Sequence, residues 1–465
     1  MSEHSFSSLH LSAEIVDNLA SLGFASMTAI QAQSLPAILD GKDVIVEGQT
    51  GSGKTAAFGL GILAKLEIKL FKVQALVLCP TRELAEQVAN EIRRLARSTP
   101  NVKVVTLIGG SALRVQVNSL KNGAHIVVGT LGRIEDHLKK GTLVVERLTS
   151  LVLDEADRML DMGFQKTLDN IVVALPIDRQ TMMFSATFPE AIESIANRIM
   201  KAPFKASVSV NHDSVRVTEY FYLVGSEPLR IVALQLLLLE HNFRTCVVFC
   251  NTRKDVQLVA GVLKSSGFSA AALHGDMEQK DRDQALIRFA NNSISILVAT
   301  DVAARGLDIE SLDKVINFQL PRELDVYTHR IGRTARAGKK GIASSLYVEQ
   351  ELLRIEQLST HLNREIKASE LPAQALLEKS PSRPEMSTLR IEGGKRQKLR
   401  AGDVVGALTR IDTANSVDIG GDQIGRIQIL ENWTYVAIKR NIAKAALKKF
   451  TSGKLKGKSF RARLI

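Results

Sequence analysis

The run Asp43-Val44-Ile45-Val46-Glu47-Gly48-Gln49-Thr50-Gly51-Ser52-Gly53-Lys54-Thr55-Ala56-Ala57-Phe58 decides the fold. Its opening, Asp43–Val46, is a short apolar run, too short for a helix, and reads as a buried strand. Ala56-Ala57-Phe58 opens a helix. Between them, Gly48 to Thr55 has the spacing G-x-x-x-x-G-K-[ST] in the strand-to-helix context that spacing requires. Glycines let backbone N–H groups approach a phosphate, and the positive end of the helix favours its charge. Lys54 is placed to reach the β- and γ-phosphates of a nucleotide, and Thr55 to ligate Mg²⁺. A strand–loop–helix unit of this kind belongs to an open α/β sheet, which binds ligands at the carboxyl ends of its strands.

A second apolar run, Leu151-Val152-Leu153, leads into Asp154-Glu155-Ala156-Asp157. Alone, these acids are explained equally well as a helix start, where negative side chains are favoured. Beside a phosphate loop they acquire roles. Asp154 becomes a Mg²⁺ partner, directly or at one remove, and Glu155 the residue that orients and deprotonates an attacking water.

Outward from these stretches, strands alternate with helices. Residues 1–40 are helical in pattern, with Leu11, Ile15, Val16 and Leu19 on one face, Gly23 as a stop and a second helix from about Thr28 to Leu39. Ala75–Cys79, Val104–Ile108, Ile126–Val128 and Met182–Phe184 are further strands, with helices such as Glu83–Arg97 and Pro189–Met200 between them. The pattern breaks around Lys201–Val217 and then restarts. Cys246–Phe249, Ala270–Leu273, Ile296–Ala299, Lys314–Phe318 and Ala343–Tyr347 read as strands, Lys254–Ser265 and Gln279–Ala290 as helices. Two α/β domains are therefore expected, at 1–205 and 218–377, joined by a linker at 206–217. Residues 378–386, with two prolines and two serines, read as a second linker. The tail, 387–465, reads as strand Thr388–Ile391, helix Gly402–Leu408, strands Ile424–Ile429 and Trp433–Ile438, helix Ile442–Phe450 and strand Ser459–Leu464. That β-α-β-β-α-β order is the topology of the RNA-recognition motif.

Charge is unevenly placed. The 465 residues carry 61 Lys and Arg against 49 Asp and Glu. From Pro381 onward there are 18 against 7, so nearly all the excess positive charge lies in the last 85 residues. A basic segment with a folding pattern is the footprint of nucleic-acid binding. No apolar run approaches the ~20 residues of a membrane span, no secretory signal opens the chain, and no membrane partner is expected. The three cysteines, Cys79, Cys246 and Cys250, sit in apolar runs and fit a reducing, cytoplasmic setting.

Asp-Glu-Ala-Asp is the name-giving motif of the DEAD-box RNA helicases, and residues 6–370 resemble that family throughout. Gly23-Phe24, Thr28 and Ile30-Gln31 resemble its Q motif; the resemblance implies that Phe24 and Gln31 hold adenine, Gln31 bidentately. Pro80-Thr81-Arg82-Glu83-Leu84-Ala85, Gly109-Gly110 and Thr130-Leu131-Gly132-Arg133 resemble the first domain's RNA-backbone motifs. They mark Pro80, Thr81, Arg82, Gly109, Gly110, Thr130, Gly132 and Arg133 as RNA contacts. Ser185-Ala186-Thr187 resembles the motif coupling hydrolysis to RNA, with Asp157 and His329 as its partners in coupling. In the second domain, Val248-Phe249-Cys250-Asn251-Thr252, Ala299-Thr300-Asp301 through Arg305-Gly306-Leu307-Asp308-Ile309, and His329-Arg330-Ile331-Gly332-Arg333-Thr334-Ala335-Arg336 match. The resemblance makes Arg333 and Arg336 arginine fingers, Asp301 and Asp308 nucleotide contacts, and Thr252, Thr300 and Gly306 RNA contacts. It implies two tandem RecA-like parallel-sheet domains, followed here by the small α+β domain, and catalysis of RNA-dependent ATP hydrolysis with Mg²⁺.

The tail resembles the RNA-binding domain of the DbpA-type subfamily, in Gly393-Gly394, in the Asp403–Leu408 helix and in Lys454-Leu455-Lys456-Gly457-Lys458. Lys454, Lys456 and Lys458 are its candidate RNA contacts, and the resemblance implies large-subunit (23S) ribosomal RNA and pre-ribosomal particles as partners, with no specific protein partner evident. Three departures stand out. Leu131 replaces a usual proline, the segment Ala25–Ala29 lacks one, and Glu431-Asn432 stands where a basic-Gly pair precedes the strand of Trp433 and Tyr435, which puts base stacking on the sheet in question. Two other readings use the same groups: a DNA-directed helicase, separated by the 2′-hydroxyl, and an ATP-gated RNA clamp or annealing factor without unwinding.

Overall fold

The computed structural model describes residues 4–48, 51–207, 217–304, 312–334, 341–410, 418–453 and 455–465. The described residues up to 207 and those from 217 onward form two compact units.

The first unit is built on strands β1 (Val44–Glu47), β2 (Ala75–Cys79), β3 (Val104–Leu107), β4 (Ile126–Thr130), β5 (Ser150–Asp154), β6 (Gln180–Ser185) and β7 (Phe204–Ser207). They lie in the order β3-β4-β2-β5-β6-β1-β7 and every pairing is parallel. Helices cover both faces, so the strands need apolar residues on both sides. In β5, Val152 joins the core that contains Phe58, Ile92 and Phe184, while Leu151 and Leu153 join the opposite core with Met159 and Ile171. That is why the run before the acidic quartet is apolar without alternation.

The second unit holds two sheets. β8 (Val217–Val224), β9 (Cys246–Phe249), β10 (Ala270–Leu273), β11 (Ile296–Ala299), β12 (Lys314–Asn317) and β13 (Gly341–Val348) form a parallel sheet in the order β10-β11-β9-β12-β13-β8. The tail contributes β14 (Met386–Ile391), β15 (Ile424–Ile429), β16 (Thr434–Lys439) and β17 (Ala462–Leu464), antiparallel in the order β15-β16-β14-β17. Helices Ala401–Thr409 and Ala443–Ser452 share a core with Leu389, Ile391, Val436 and Ile438 on one face of this sheet.

Three local expectations change. The break at Lys201–Val217 begins with a strand: Phe204–Ser207 pairs in parallel with β1, but as an edge strand with exposed Phe204 it lacks an apolar signature. Val217–Val224, absent from the sequence reading, runs the length of β13. The last strand is shorter than Ser459–Leu464: β14 ends at Ile391, opposite Ala462, and beyond it a single bond from Glu392 N to Arg461 O (2.8 Å) continues the pairing.

The second face of the tail sheet is closed. Thr388, Arg390, Tyr435 and Ala437 are buried there, and Thr388 meets the segment that follows helix Gln279–Ala290. Ser293 Oγ donates to Arg288 O at 3.0 Å, so the Thr388 hydroxyl donates to Ser293 Oγ (2.7 Å) and accepts from Asn291 Nδ2 (3.2 Å). All three side chains are buried. The sheet face on which RNA-recognition motifs stack bases is here a seam within one compact unit. Tyr435 lies inside it, and Trp433 is covered by the Arg390 guanidinium at 4.2 Å from its ring centre. Base stacking on Tyr435 is thereby blocked in this arrangement.

The seam is testable. Thr388→Val keeps the shape and strands two buried partners, a cost of ~1–3 kcal/mol. Denaturant unfolding of the full chain should show that loss in the transition containing the second unit; an unchanged midpoint would mean the seam is not formed in solution.

Candidate functional site

The phosphate loop begins where β1 ends. Gly48 N donates to Ser185 O at the end of β6 (3.0 Å). Gly53 adopts φ +91°, a left-handed conformation that admits glycine readily, and helix Lys54–Lys65 starts immediately after it. No side chain caps this helix, so its first N–H groups are left for a ligand. Lys54 is buried and its Nζ donates to Gly48 O. Burial lowers its pKa, and the carboxylates of Asp154, Glu155 and Asp157 oppose the shift.

The residues expected to hold adenine brace the same loop. Thr28 and Gln31 form a capping box at the start of helix Ala29–Leu39. Gln31 Oε1 accepts from Thr28 N (2.9 Å), and Gln31 Nε2 donates to Gly53 O (3.0 Å). A Cβ on Gly53 would lie 2.4 Å from that Nε2. Thr28 Oγ1 donates to Ser52 O (2.7 Å). Each end of the Gln31 amide keeps one further hydrogen-bonding capacity. Phe24 packs edge-on to Phe6, and Arg94 lies over its ring at 5.5 Å.

Asp154, Glu155 and Asp157 are all buried at the carboxyl end of β5, and each is balanced differently. Burial first, and then the adjacent Glu155, push the Asp154 carboxyl up to about 7, against the pull of Lys54. Glu155 sits at φ +56°, ψ +54°, a left-handed conformation that costs a non-glycine residue ~1–2 kcal/mol. Its Oε2 lies 3.2 Å from Arg158 Nη1, but neither atom gains a hydrogen bond from that approach. Asp157 is fully engaged. Its carboxylate accepts from Arg158 N (3.0 Å), Ala186 N (3.1 Å), Thr187 N (3.2 Å) and Thr187 Oγ1 (3.3 Å), while its own N donates to Ser185 Oγ (3.3 Å). The strand end is thus bonded to the Ser185–Thr187 segment, and Ser185 in turn to the phosphate loop.

The RNA candidates of the first unit form a second cluster. Thr81 caps helix Arg82–Leu95, accepting from Leu84 N (3.2 Å), and Pro80 precedes it. A Cβ on Gly109 would come within 2.7 Å of Arg82 Nη2, so the guanidinium lies against bare backbone. Gly110 follows with φ +81°. Thr130 is the extended residue before helix Leu131–Lys139 and makes no side-chain cap. Leu131 is the first helical residue and is buried in the core. Proline is favoured at that position because its missing N–H is unneeded there, so leucine preserves the helix start and adds packing. Gly132 opens on free space. Arg133 Nη1 donates to Ser111 O and Gln116 Oε1, both at 3.2 Å.

In the second unit the organising residue is Arg330, quoted in a motif but given no role by the sequence. It is buried, donates to both Asp301 oxygens (2.6 and 2.7 Å), to Asn251 Oδ1 (2.9 Å), Asn317 Oδ1 (3.1 Å) and Gln319 O (2.8 Å), and lies over the Phe249 ring. It ties together the loops after β9, β11 and β12, which carry Thr252, Thr300 and Asp301. The Thr252 hydroxyl is committed to its own helix, accepting from Asp255 N (3.1 Å) and donating to Asp255 Oδ2 (2.6 Å). Thr300 Oγ1 accepts from Ala303 N (3.4 Å). Arg333 is buried, and its carbonyl accepts from Leu312 N (3.1 Å); His329 is half-buried on helix Leu324–Ile331. In the tail, Lys456 donates to Lys398 O (2.7 Å) and pairs with Asp403 (3.2 Å), whereas Lys458 is exposed. Gln49, Thr50, Gly306, Asp308, Arg336 and Lys454 lie outside the described residues. Among the described residues, no helix is long and apolar enough to cross a membrane.

An unfolded Asp ionises near pH ~4, the folded Asp154 near about 7. Between these values the folded state holds a proton that the unfolded state has released. The contribution to stability is therefore complete below pH ~4 and lost as pH rises through about 7. Melting curves without nucleotide or metal should place Asp154→Asn above the parent at pH 8, with the advantage shrinking toward pH 5. A pH-independent difference would show that Asp154 titrates normally.

Comparison with known proteins places each part. The family described as DEAD/DEAH box helicase matches residues 28–195, the helicase conserved C-terminal domain 230–338 and the DbpA RNA binding domain 388–464. The ATP-dependent RNA helicase DbpA of Escherichia coli (strain K12) is 49% identical over 96% of this chain and 96% of its own. That of Bacillus subtilis (strain 168) is 37% identical over 98% of each. Among solved structures, Saccharomyces cerevisiae Dbp5 bound to RNA and ADP BeF3 aligns with a TM-score of 0.72 at 28% identity, covering 82% of this chain and all of that one.

Proposed function

The chain belongs to the DbpA-type DEAD-box RNA helicases, RNA-stimulated ATPases, and we propose that it acts on large-subunit (23S) ribosomal RNA, remodelling short duplexes during assembly of the large ribosomal subunit. The observation that carries this reading is the basic tail. It matches the DbpA RNA binding domain and is joined by a buried seam to the second parallel sheet. RNA gripped by its outer loops is thereby held in fixed geometry to half of the helicase.

In this reading the phosphate chain of ATP binds the N–H groups of Gly51–Thr55, and Lys54 exchanges the Gly48 carbonyl for phosphate oxygens. Thr55 and Asp154 would hold Mg²⁺; a buried carboxyl beside a second carboxylate suits that role, because a bound cation would favour its charged form. The charge of such an ion would neutralise the phosphates. Gln31 meets adenine with the donor and acceptor capacity it has left, and Phe24 contributes its ring. Asp301 and Asp308 contact the nucleotide from the second domain. Glu155, with a buried oxygen lacking a hydrogen bond, orients and deprotonates the attacking water. Arg333 and Arg336 neutralise charge developing on the transferred phosphoryl, a contribution of ~10³–10⁵ in rate for such fingers. Asp157, through Ser185 and Thr187, transmits loss of phosphate from the loop. The clusters around Arg82–Gly109 and Thr130–Arg133, with Thr252, Thr300 and Gly306, contact phosphate and sugar, which position RNA without reading its sequence.

Glu155→Gln should retain ATP-dependent RNA binding while single-turnover hydrolysis falls by ~10²–10⁴. Loss of binding instead would assign Glu155 a structural role beside Arg158. The target is tested by crosslinking the full-length protein to total cellular RNA. Crosslinks should concentrate in one region of large-subunit ribosomal RNA; a spread over messenger RNAs would overturn the assignment.

A further inference from the structure

Gln116 carries no motif, yet it is the buried joint between two loops. It lies on helix Leu113–Lys121 and is buried beneath the turn that holds Gly109 and Gly110. Its Nε2 donates to Ile108 O at 2.7 Å, immediately before those glycines. That orients the amide, so Oε1 faces the other way and receives two donors: Arg133 Nη1 at 3.2 Å and His137 Nε2 at 3.0 Å. His137 is wholly buried; burial first, and then Arg133, hold its ring below the usual imidazole range. Because an amide oxygen can only accept, Nε2 is the donor to Gln116, while Nδ1 lies 2.8 Å from the Thr142 hydroxyl, which also reaches His137 O (3.2 Å). Through its Nε2 bond His137 holds the Gln116 carbonyl toward Arg133.

Arg133 Nη1 is consequently held by Ser111 O and Gln116 Oε1, one on the glycine turn and the other beneath it, with Asp136 Oδ2 4.0 Å from its Nε. The two helices joined here, Leu113–Lys121 and Leu131–Lys139, both begin without a side-chain cap. Apart from Val115 N, which donates to Ala112 O (3.0 Å), their first N–H groups carry no side-chain partner, the arrangement that suits an anion. We infer that Gln116 is a positioning residue for RNA. It sets the spacing between the Gly109–Gly110 turn and the Thr130–Arg133 helix start, so that two neighbouring backbone phosphates are gripped at once. Nothing in this requires Gln116 to touch RNA. The inference rests on the proposed RNA role of Arg133. A structural staple with no bearing on RNA would have the same hydrogen bonds, so the test separates binding from stability.

RNA-stimulated ATPase of the full-length protein is measured for Gln116→Ala, Arg133→Ala and the double variant, with melting temperatures alongside. The expected result is a roughly tenfold rise in the KM for RNA in each single variant, about 1.4 kcal/mol. The KM for ATP is unchanged, and the double variant is no worse than Arg133→Ala alone, because both changes remove one grip. If Arg133→Ala raises the KM for RNA and Gln116→Ala only lowers the melting temperature, the positioning inference is overturned and the RNA reading stands. If neither variant moves that KM, the RNA role of Arg133 falls first and the inference with it. Gln116→Asn keeps the amide but is too short to span Ile108 and Arg133. It should reproduce the KM rise should the alanine protein fold poorly, and a wild-type KM in that variant would equally overturn the inference.

Discussion

Three carboxylates buried within four positions set the terms for the first unit. At a separation of about 4 Å and an effective dielectric near 20, one like-charge pair costs ~4 kcal/mol, and burial adds to that. The protein meets the cost by a different device at each site. Asp154 is driven toward its neutral form and faces Lys54. Glu155 has Arg158 beside it. Asp157 is saturated with N–H and O–H donors from its neighbour and from the segment after β6. These devices require β5, β6 and β1 to be adjacent, which is the order observed. An array of this kind holds only while its compensating groups stay in place.

The second unit solves the related problem of fixing several loops at one strand edge. Arg330 does so with a guanidinium whose planar fork fits the Asp301 carboxylate bidentately and whose remaining N–H groups reach neighbouring loops. A buried polar group with its hydrogen-bonding capacity used rigidifies its surroundings more sharply than an apolar contact of the same size, because leaving it unpaired is costly. Asp157, Gln116 and Thr388 play the same part elsewhere in the molecule.

Much of this was legible in the residues. Strands covered on both faces announce themselves as short apolar runs, and Ala75–Cys79, Cys246–Phe249, Ala270–Leu273 and Ile296–Ala299 fall where their composition puts them. The contact of Asp157 with Ser185 and Thr187 was expected from the motifs and is present. Phe204–Ser207 was missed because an edge strand with a half-polar sequence has no periodic signal. Gln116, His137 and Arg330 had no assigned role because a single polar residue on a helix looks like surface until its partners, 5 to 79 residues away in the chain, come into view. The closed face of the tail sheet was illegible for the same reason. Thr388 reads as an ordinary strand threonine, and only Asn291 and Ser293 give it another meaning.

The tail is for this reason matched to the domain before it. Its sheet face carries a buried hydroxyl, a guanidinium and a tyrosine, and the hydroxyl is bonded to the segment after helix Gln279–Ala290. Without Asn291 and Ser293 the Thr388 hydroxyl would lose both of its partners. Substitutions at Thr388, Asn291 and Ser293 are bound to one another, so the tail sheet and the domain before it are inherited as one piece. On the proposed reading, a change of target is made in the loops on the tail's outer side, with its inner face left alone.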